Sequence, residues 1–146
     1  MVVIQNIIND INVDEERLKL TCQQFMQESS VGDSELLIRL VSPLEIQVLN
    51  KEYRSKNQVT NVLSFQSDVP EEVGERILGD VDICVDVVRE EAIVGGKTLS
   101  DQLSHMAIHG ILHLIGHDHT DLVSANKMEL IEIDFLKKIG IDNPYQ

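Results

Sequence analysis

The stretch HMAIHGILHLIGHDHT, residues 105–120, contains all five histidines of this 146-residue chain. We place residues 103–115 on a helix, in which the histidines recur every four residues. On such a helix His109 and His113 lie on the same face, one turn apart. Gly116 can adopt the left-handed conformation that ends a helix, and it lets His119 return toward the same face. The spacing therefore predicts three imidazoles around one point.

Three neutral imidazoles leave a fourth tetrahedral position for water, which is the composition of catalytic zinc sites. Structural zinc sites usually include thiolates, and neither cysteine lies near this motif. Nickel, cobalt and copper also suit imidazole ligands. We expect one Zn²⁺ per chain, bound by His109, His113 and His119, with His117 left open as a fourth or a substitute ligand.

Gly110 occupies the position at which metzincin proteases, which share this spacing, carry their catalytic glutamate. A glycine cannot accept a proton from metal-bound water. The sequence therefore disfavours a metallopeptidase. A bound zinc ion lowers the pKa of its water to about 7 without help, which suits attack on a phosphodiester.

The flanking sequence alternates apolar β-branched runs with amphipathic segments. Strands are predicted over residues 2–8, 34–42, 59–66 and 77–85, with an acidic loop over 67–76. Helices are predicted after a cap at Asp14, over PLEIQVLNKEYR with Pro43 in the first turn after Ser42, from Asp86 to Gly95, and over 121–140. A further helix, capped by Ser100 or Asp101, is predicted to carry the histidines and to end at Gly116. This pattern predicts an α+β fold in one domain, with about four strands in a mixed sheet, about five helices and the metal site at a helix-turn.

Composition limits the class of protein. The formal net charge is −13, from 25 acidic and 12 basic residues, so a polyanionic substrate requires a local positive site or a partner. Five aromatic residues and no Trp argue against a base-stacking module such as an RRM or an OB-fold. Two distant cysteines, no secretory signal pattern and no apolar run of about 20 residues predict a cytoplasmic protein without a membrane span.

The motif HGILHLIGHDH, preceded by LNKEYRSKNQVTNVLSF and ILGDVDI and followed by GIDNPY, resembles the YbeY family of bacterial metal-dependent endoribonucleases. The match runs in order from about Leu49 to Tyr145. It departs from the family pattern at Val59, where the family often has Pro, and at His117, where it often has Tyr.

The resemblance implies that residues 1–146 form one YbeY-like metallohydrolase domain, with a metal, most often zinc, on His109, His113 and His119. It further implies cleavage of single-stranded RNA and processing of ribosomal RNA, chiefly at the 3′ end of the small-subunit RNA. A part in ribosome quality control, with small-subunit proteins as partners, follows from the same resemblance.

A basic residue that is important in the family falls on Arg54. The planar guanidinium matches phosphate oxygens and can stabilise charge on a transition state, so we expect Arg54 and the metal ligand His109 to be catalytic. Lys51 and Lys56 flank Arg54 and are candidate RNA-binding residues, or solvated lysines at a helix end.

Three further residues near the motif are ambiguous from sequence. His105, one turn before His109, is expected to contact substrate or exchange protons, or else to be a buried histidine with one hydrogen bond. Asp118 and Asp80 could orient a histidine, or Asp118 could simply be a turn residue.

A competing hypothesis is a non-catalytic ribosome-assembly factor, in which the metal braces the helix and the acidic surface binds basic ribosomal proteins. The negative charge and sparse aromatic residues favour it. The open coordination position at the metal favours catalysis.

Overall fold

The computed structural model describes residues 1–68 and 76–146. Its elements are β1 (Val2–Asn6), α1 (Glu15–Glu28), β2 (Glu35–Val41), α2 (Pro43–Arg54), β3 (Val62–Gln66), β4 (Ile77–Cys84), α3 (Val85–Gly95), α4 (Leu99–Leu114) and α5 (Leu122–Lys138). The predicted α+β class, with four strands and five helices among the described residues, is confirmed. Residues 69–75 of the predicted acidic loop lie outside the described residues.

The four strands form one mixed sheet in the order β1-β2-β4-β3. β1, β2 and β4 are parallel, and β3 runs antiparallel to β4 at the edge. Because successive side chains alternate between faces, Ile38 and Val81 belong to the larger core whereas Val41 and Cys84 belong to a smaller cluster. The two faces of the sheet therefore have different environments.

The larger core holds α1, α3, α4 and α5 together with one face of the sheet. The smaller cluster joins the other face to α2 through Ile46 and Leu63. Beside α2, Arg39 of β2 and Asp82 of β4 line an opening on this second face. That opening becomes the cleft described below.

α4 approaches the edge of the sheet closely at Gly110. The Ser64 hydroxyl of β3 donates a hydrogen bond to the Gly110 carbonyl oxygen at 2.9 Å. A Cβ added at Gly110 would lie 2.6 Å from Cγ1 of Val81 and 3.1 Å from Oγ of Ser64. The position after the first histidine of the proposed metal motif therefore faces the sheet, and a side chain there would have to displace the side chains of Val81 and Ser64.

The helix caps agree with the sequence at two helices and differ at a third. Asp14 caps α1, as predicted, and α2 begins at Pro43, as predicted, with Ser42 as its cap. The prediction that Ser100 or Asp101 caps α4 is wrong, because the Thr98 hydroxyl accepts a hydrogen bond from the Asp101 backbone N–H at 3.1 Å. The helix therefore begins at Leu99, and both candidates lie in its first turn.

None of the described helices has the length and apolar character that a membrane span requires.

Candidate metal centre and adjoining cleft

The end of α4 brings three histidines together. His109 and His113 project from its last turns, and Gly116, with φ of +103°, turns the chain so that His119 returns. One nitrogen from each ring lies within 4.8 Å of the others. Nε2 of His113 lies 3.2 Å from Nε2 of His109, and two nitrogens bound tetrahedrally at about 2.0–2.1 Å would be about 3.4 Å apart. The donor set fits one metal ion, and His117 is not part of it.

Hydrogen bonding orients His109, and burial favours the neutral form of His113. His109 Nδ1 donates to Oε1 of Glu132 at 2.7 Å, and its other nitrogen, Nε2, faces Nε2 of His113. Burial, and then the electrostatic effect of the neighbouring His109, His119 and Arg54, lower the pKa of His113 to about 4. His113 is therefore neutral at pH 7, and neutral imidazole is the form that binds metals.

Glu132, on α5, is fully buried at 0% exposure beneath the histidines. Besides the bond from His109, its Oε2 accepts a hydrogen bond from the Tyr145 hydroxyl at 2.5 Å, and His105 Nε2 lies 3.5 Å from its Oε1. Burial raises the pKa of Glu132, but the hydrogen bonds from His105, His109 and Tyr145 outweigh it and lower the pKa to about 2. A buried carboxylate thus stays ionised behind the metal motif.

Sequence reasoning missed Glu132 and Tyr145. One signal was present: Glu132 follows Met128 by four residues and precedes Phe135 by three, and all three are buried on α5. An acidic residue on the apolar face of an amphipathic helix indicates a buried polar partner. Tyr145, beyond the last helix, gave no such signal.

An open cleft of about 1030 Å³ adjoins the histidines, and its wall includes all three rings of the cluster. The predicted catalytic residue Arg54 and the candidate RNA-binding residue Lys56 line this cleft, whereas Lys51 does not. The remaining charged residues of the lining are Arg39, Asp68, Asp80 and Asp82, and its aromatic residues are Tyr53 and Phe65.

Arg39 and Arg54 differ in what they can offer a substrate. Arg39 is held by two carboxylates, at 3.0 Å from Asp82 and 2.7 Å from Glu45. Arg54 has no ion-pair partner within residues 1–68 and 76–146, and its charge acts on His113. Arg54 is therefore the arginine of the cleft whose guanidinium is available.

Asp82 is a second buried carboxyl, 1% exposed. Burial raises its pKa to about 6, although the adjacent Arg39 opposes that shift. Its Oδ1 has no hydrogen-bond partner among the residues that the structure describes. The sequence gave no indication of this carboxyl.

The other three predicted residues lie around the site rather than in the cluster. His105 is only 7% exposed and faces Glu132 and Tyr145, outside the cleft. Asp118 accepts hydrogen bonds from the backbone N–H and the hydroxyl of Thr120, as a turn residue does. Asp80 lines the cleft, and its carboxylate makes no described hydrogen bond to a histidine.

Fold and site together define an α+β protein in which a helix and a glycine turn present three histidines beside a polar cleft. The model of the family described as Endoribonuclease YbeY matches residues 3–140. The chain belongs to the YbeY family.

Relatives and a solved structure agree with this assignment. The chain is 55% identical to the endoribonuclease YbeY of Ruthia magnifica subsp. Calyptogena magnifica, over 99% of this chain and 100% of the relative. It is 47% identical to that of Pseudomonas syringae pv. syringae (strain B728a), over 90% of this chain and 80% of the relative. The solution structure of TM1509 from Thermotoga maritima superimposes with a TM-score of 0.67 at 27% identity, covering 95% of this chain and 89% of that one.

Proposed function

We propose that this protein is a metal-dependent endoribonuclease that cleaves single-stranded RNA and acts in ribosomal RNA maturation, at the 3′ end of the small-subunit RNA. The observation that carries the proposal is the facing pair of Nε2 atoms on His109 and His113, 3.2 Å apart, with His119 beside them at the wall of a cleft. Membership of the YbeY family supplies the class of reaction.

His109, His113 and His119 would hold the metal, and we propose zinc because three neutral imidazoles suit it. When bound, zinc polarises a phosphoryl oxygen and supplies an activated water. The chain's own contribution is positional. Glu132 fixes the tautomer and the direction of His109 through a 2.7 Å hydrogen bond.

Arg54 is the residue proposed to bind the scissile phosphate. Its guanidinium is exposed in the cleft, and its charge helps to lower the pKa of His113. A phosphate bound between Arg54 and His113 would accept two parallel hydrogen bonds from the guanidinium. Such donors stabilise charge that grows on the phosphoryl oxygens in the transition state. Lys56, on the same wall, would bind a neighbouring phosphate.

The test compares two substitutions on a single-stranded RNA substrate. His113→Ala should remove bound zinc and abolish cleavage. Arg54→Ala should keep the zinc and slow cleavage about 100-fold or more, as loss of one transition-state donor does. Lys51→Ala, a nearby basic residue outside the cleft, serves as the control and should change cleavage little. Full cleavage by zinc-free His113→Ala protein would refute the proposal.

The same variants separate catalysis from a purely structural role in ribosome assembly. Under our proposal, a strain that carries Arg54→Ala accumulates unprocessed small-subunit RNA. Normal maturation in that strain, with zinc retained, would instead favour an assembly factor that binds ribosomal small-subunit proteins. We place this activity in the cytoplasm, where the two buried cysteines, Cys22 and Cys84, would stay reduced.

The structure gives a reason to set aside a metallopeptidase. A glutamate at position 110 would project into Val81 and Ser64 rather than toward the histidines. The usual general base of a zinc protease therefore has no place here. Incubation of the zinc protein with a peptide library should release no fragments.

A further inference from the structure

The five aromatic residues of the chain have three different environments. Phe25 and Phe135 pack edge to face in the core, with ring centroids 4.9 Å apart. Tyr145 hydrogen-bonds behind the metal motif. Tyr53 and Phe65 instead meet in the cleft, with centroids 5.1 Å apart and planes at 63°. Tyr53 is 63% exposed, so its ring contributes little to the core.

The pair lies at the same cleft as the histidines. Tyr53 directly precedes Arg54 in the last turn of α2. Phe65 lies on β3 and packs against the smaller hydrophobic cluster. Its neighbour Ser64 is hydrogen-bonded to Gly110, the residue that follows His109 on α4. β3 therefore connects the aromatic pair to the proposed metal ligands.

The charges of the cleft do not explain how it would retain a polyanion. Three basic side chains of the lining, Arg39, Arg54 and Lys56, face three acidic ones, Asp68, Asp80 and Asp82. The whole chain carries −13. Even with a metal ion held by the histidines, few cations of the lining are free for the RNA backbone, and phosphate binding by protein charge scales with the cations offered. An uncharged contact would therefore add to the affinity for RNA.

We propose that Tyr53, braced by Phe65, is a stacking platform for one unpaired nucleobase of the RNA strand, next to the phosphate bound by Arg54. This inference rests on the proposed ribonuclease function. A base within a duplex has both faces covered by its neighbours and cannot stack on the ring. The platform therefore selects single strands, and it tolerates any base because every base has a π face.

Adenosine 5′-monophosphate and ribose 5-phosphate test the platform on the intact zinc-loaded protein. Neither contains an internal phosphodiester, so neither is consumed by an endoribonuclease, and they differ only in the base. The nucleotide should bind about 5- to 150-fold more tightly, the range expected from one stacked base. It should also quench tyrosine emission, which is readable directly because the chain has no Trp.

Two variants of Tyr53 and one control assign the effect. Tyr53→Leu should bind both probes equally, whereas Tyr53→Phe should keep the preference for the nucleotide but lose the quenching. Tyr145→Phe, which removes the other tyrosine, serves only to assign the fluorescence, and the nucleotide should still quench its emission because Tyr53 remains. Zinc content and circular dichroism establish that each variant is folded.

The stacking proposal is wrong if Tyr53→Leu still prefers the nucleotide to ribose 5-phosphate as strongly as the unmodified protein does. It is also wrong if Tyr53→Phe loses that preference. If Tyr53→Leu does not fold, absence of quenching by the nucleotide in the unmodified protein overturns it instead. The ribonuclease proposal fails separately, if zinc-loaded protein leaves single-stranded RNA intact while the nucleotide preference persists.

Discussion

Replacing Glu132 with glutamine should weaken metal binding more than any other change outside the three histidines. The side chain keeps its size, so the core around α5 is preserved. What is lost is the negative charge that accepts a hydrogen bond from His109 Nδ1 at 2.7 Å and another from the Tyr145 hydroxyl. The amide has one acceptor oxygen, and its NH₂ group would face one of these two donors.

The size of the effect follows from these contacts. A hydrogen bond to a charged group contributes about 1.5–3 kcal/mol, and a buried donor left unpaired costs about 1–3 kcal/mol. Substitution of a residue that orients a metal-bound histidine typically lowers metal affinity about 10- to 100-fold, equivalent to about 1.4–2.8 kcal/mol. The two ranges agree, so we expect the dissociation constant for zinc to rise about 10- to 100-fold.

The assay is zinc competition with a chromophoric chelator, which reads affinity without reference to cleavage. Asp134→Asn is the matched control, because Asp134 lies on the same helix with its side chain 75% exposed and 3.7 Å from Lys138. The control should bind zinc within about twofold of the unmodified protein, since exposed ion pairs contribute little. Equal zinc affinity in a folded Glu132→Gln protein would show that the carboxylate does not position His109.

Three other changes test the packing and electrostatics of the site. Gly110→Ala should lower the free energy of unfolding by about 1–3 kcal/mol through overpacking against Val81; urea denaturation measures this, and Val81→Ala in the same chain should restore part of it. Folding raises the pKa of Asp82 from 3.8 to about 6. The protonated side chain therefore contributes favourably to the free energy of unfolding below pH 3.8, and this contribution is lost as the pH rises through about 6. The free energy of unfolding of Asp82→Asn, relative to that of the unmodified protein, should therefore increase by about 2–3 kcal/mol between about pH 4 and pH 7. A difference between the two proteins that does not change with pH would contradict the raised pKa of Asp82. Zinc at about 100 times its dissociation constant should stabilise the protein by about 2.7 kcal/mol in thermal unfolding, and His119→Ala should abolish that gain.

Local sequence determined the elements of the fold and the three histidines. The apolar periods predicted four strands and five helices. A four-residue spacing followed by a glycine turn suffices to predict that His109, His113 and His119 converge, because one helical turn and one left-handed residue fix their directions. Where a local rule offered several adjacent candidates, as at the cap of α4, sequence chose wrongly: Thr98, two residues before the earlier candidate, is the cap.

Tertiary structure decided which residues from distant segments meet these histidines. Glu132 lies 23 positions from His109 along the chain, and Tyr145 and Tyr53 come from other elements. No period or spacing encodes such contacts, because they depend on how helices pack against each other and on the sheet. The same holds for Gly110: sequence showed that it cannot act as a base, whereas only the packing of α4 on β3 and β4 showed why a side chain is excluded there.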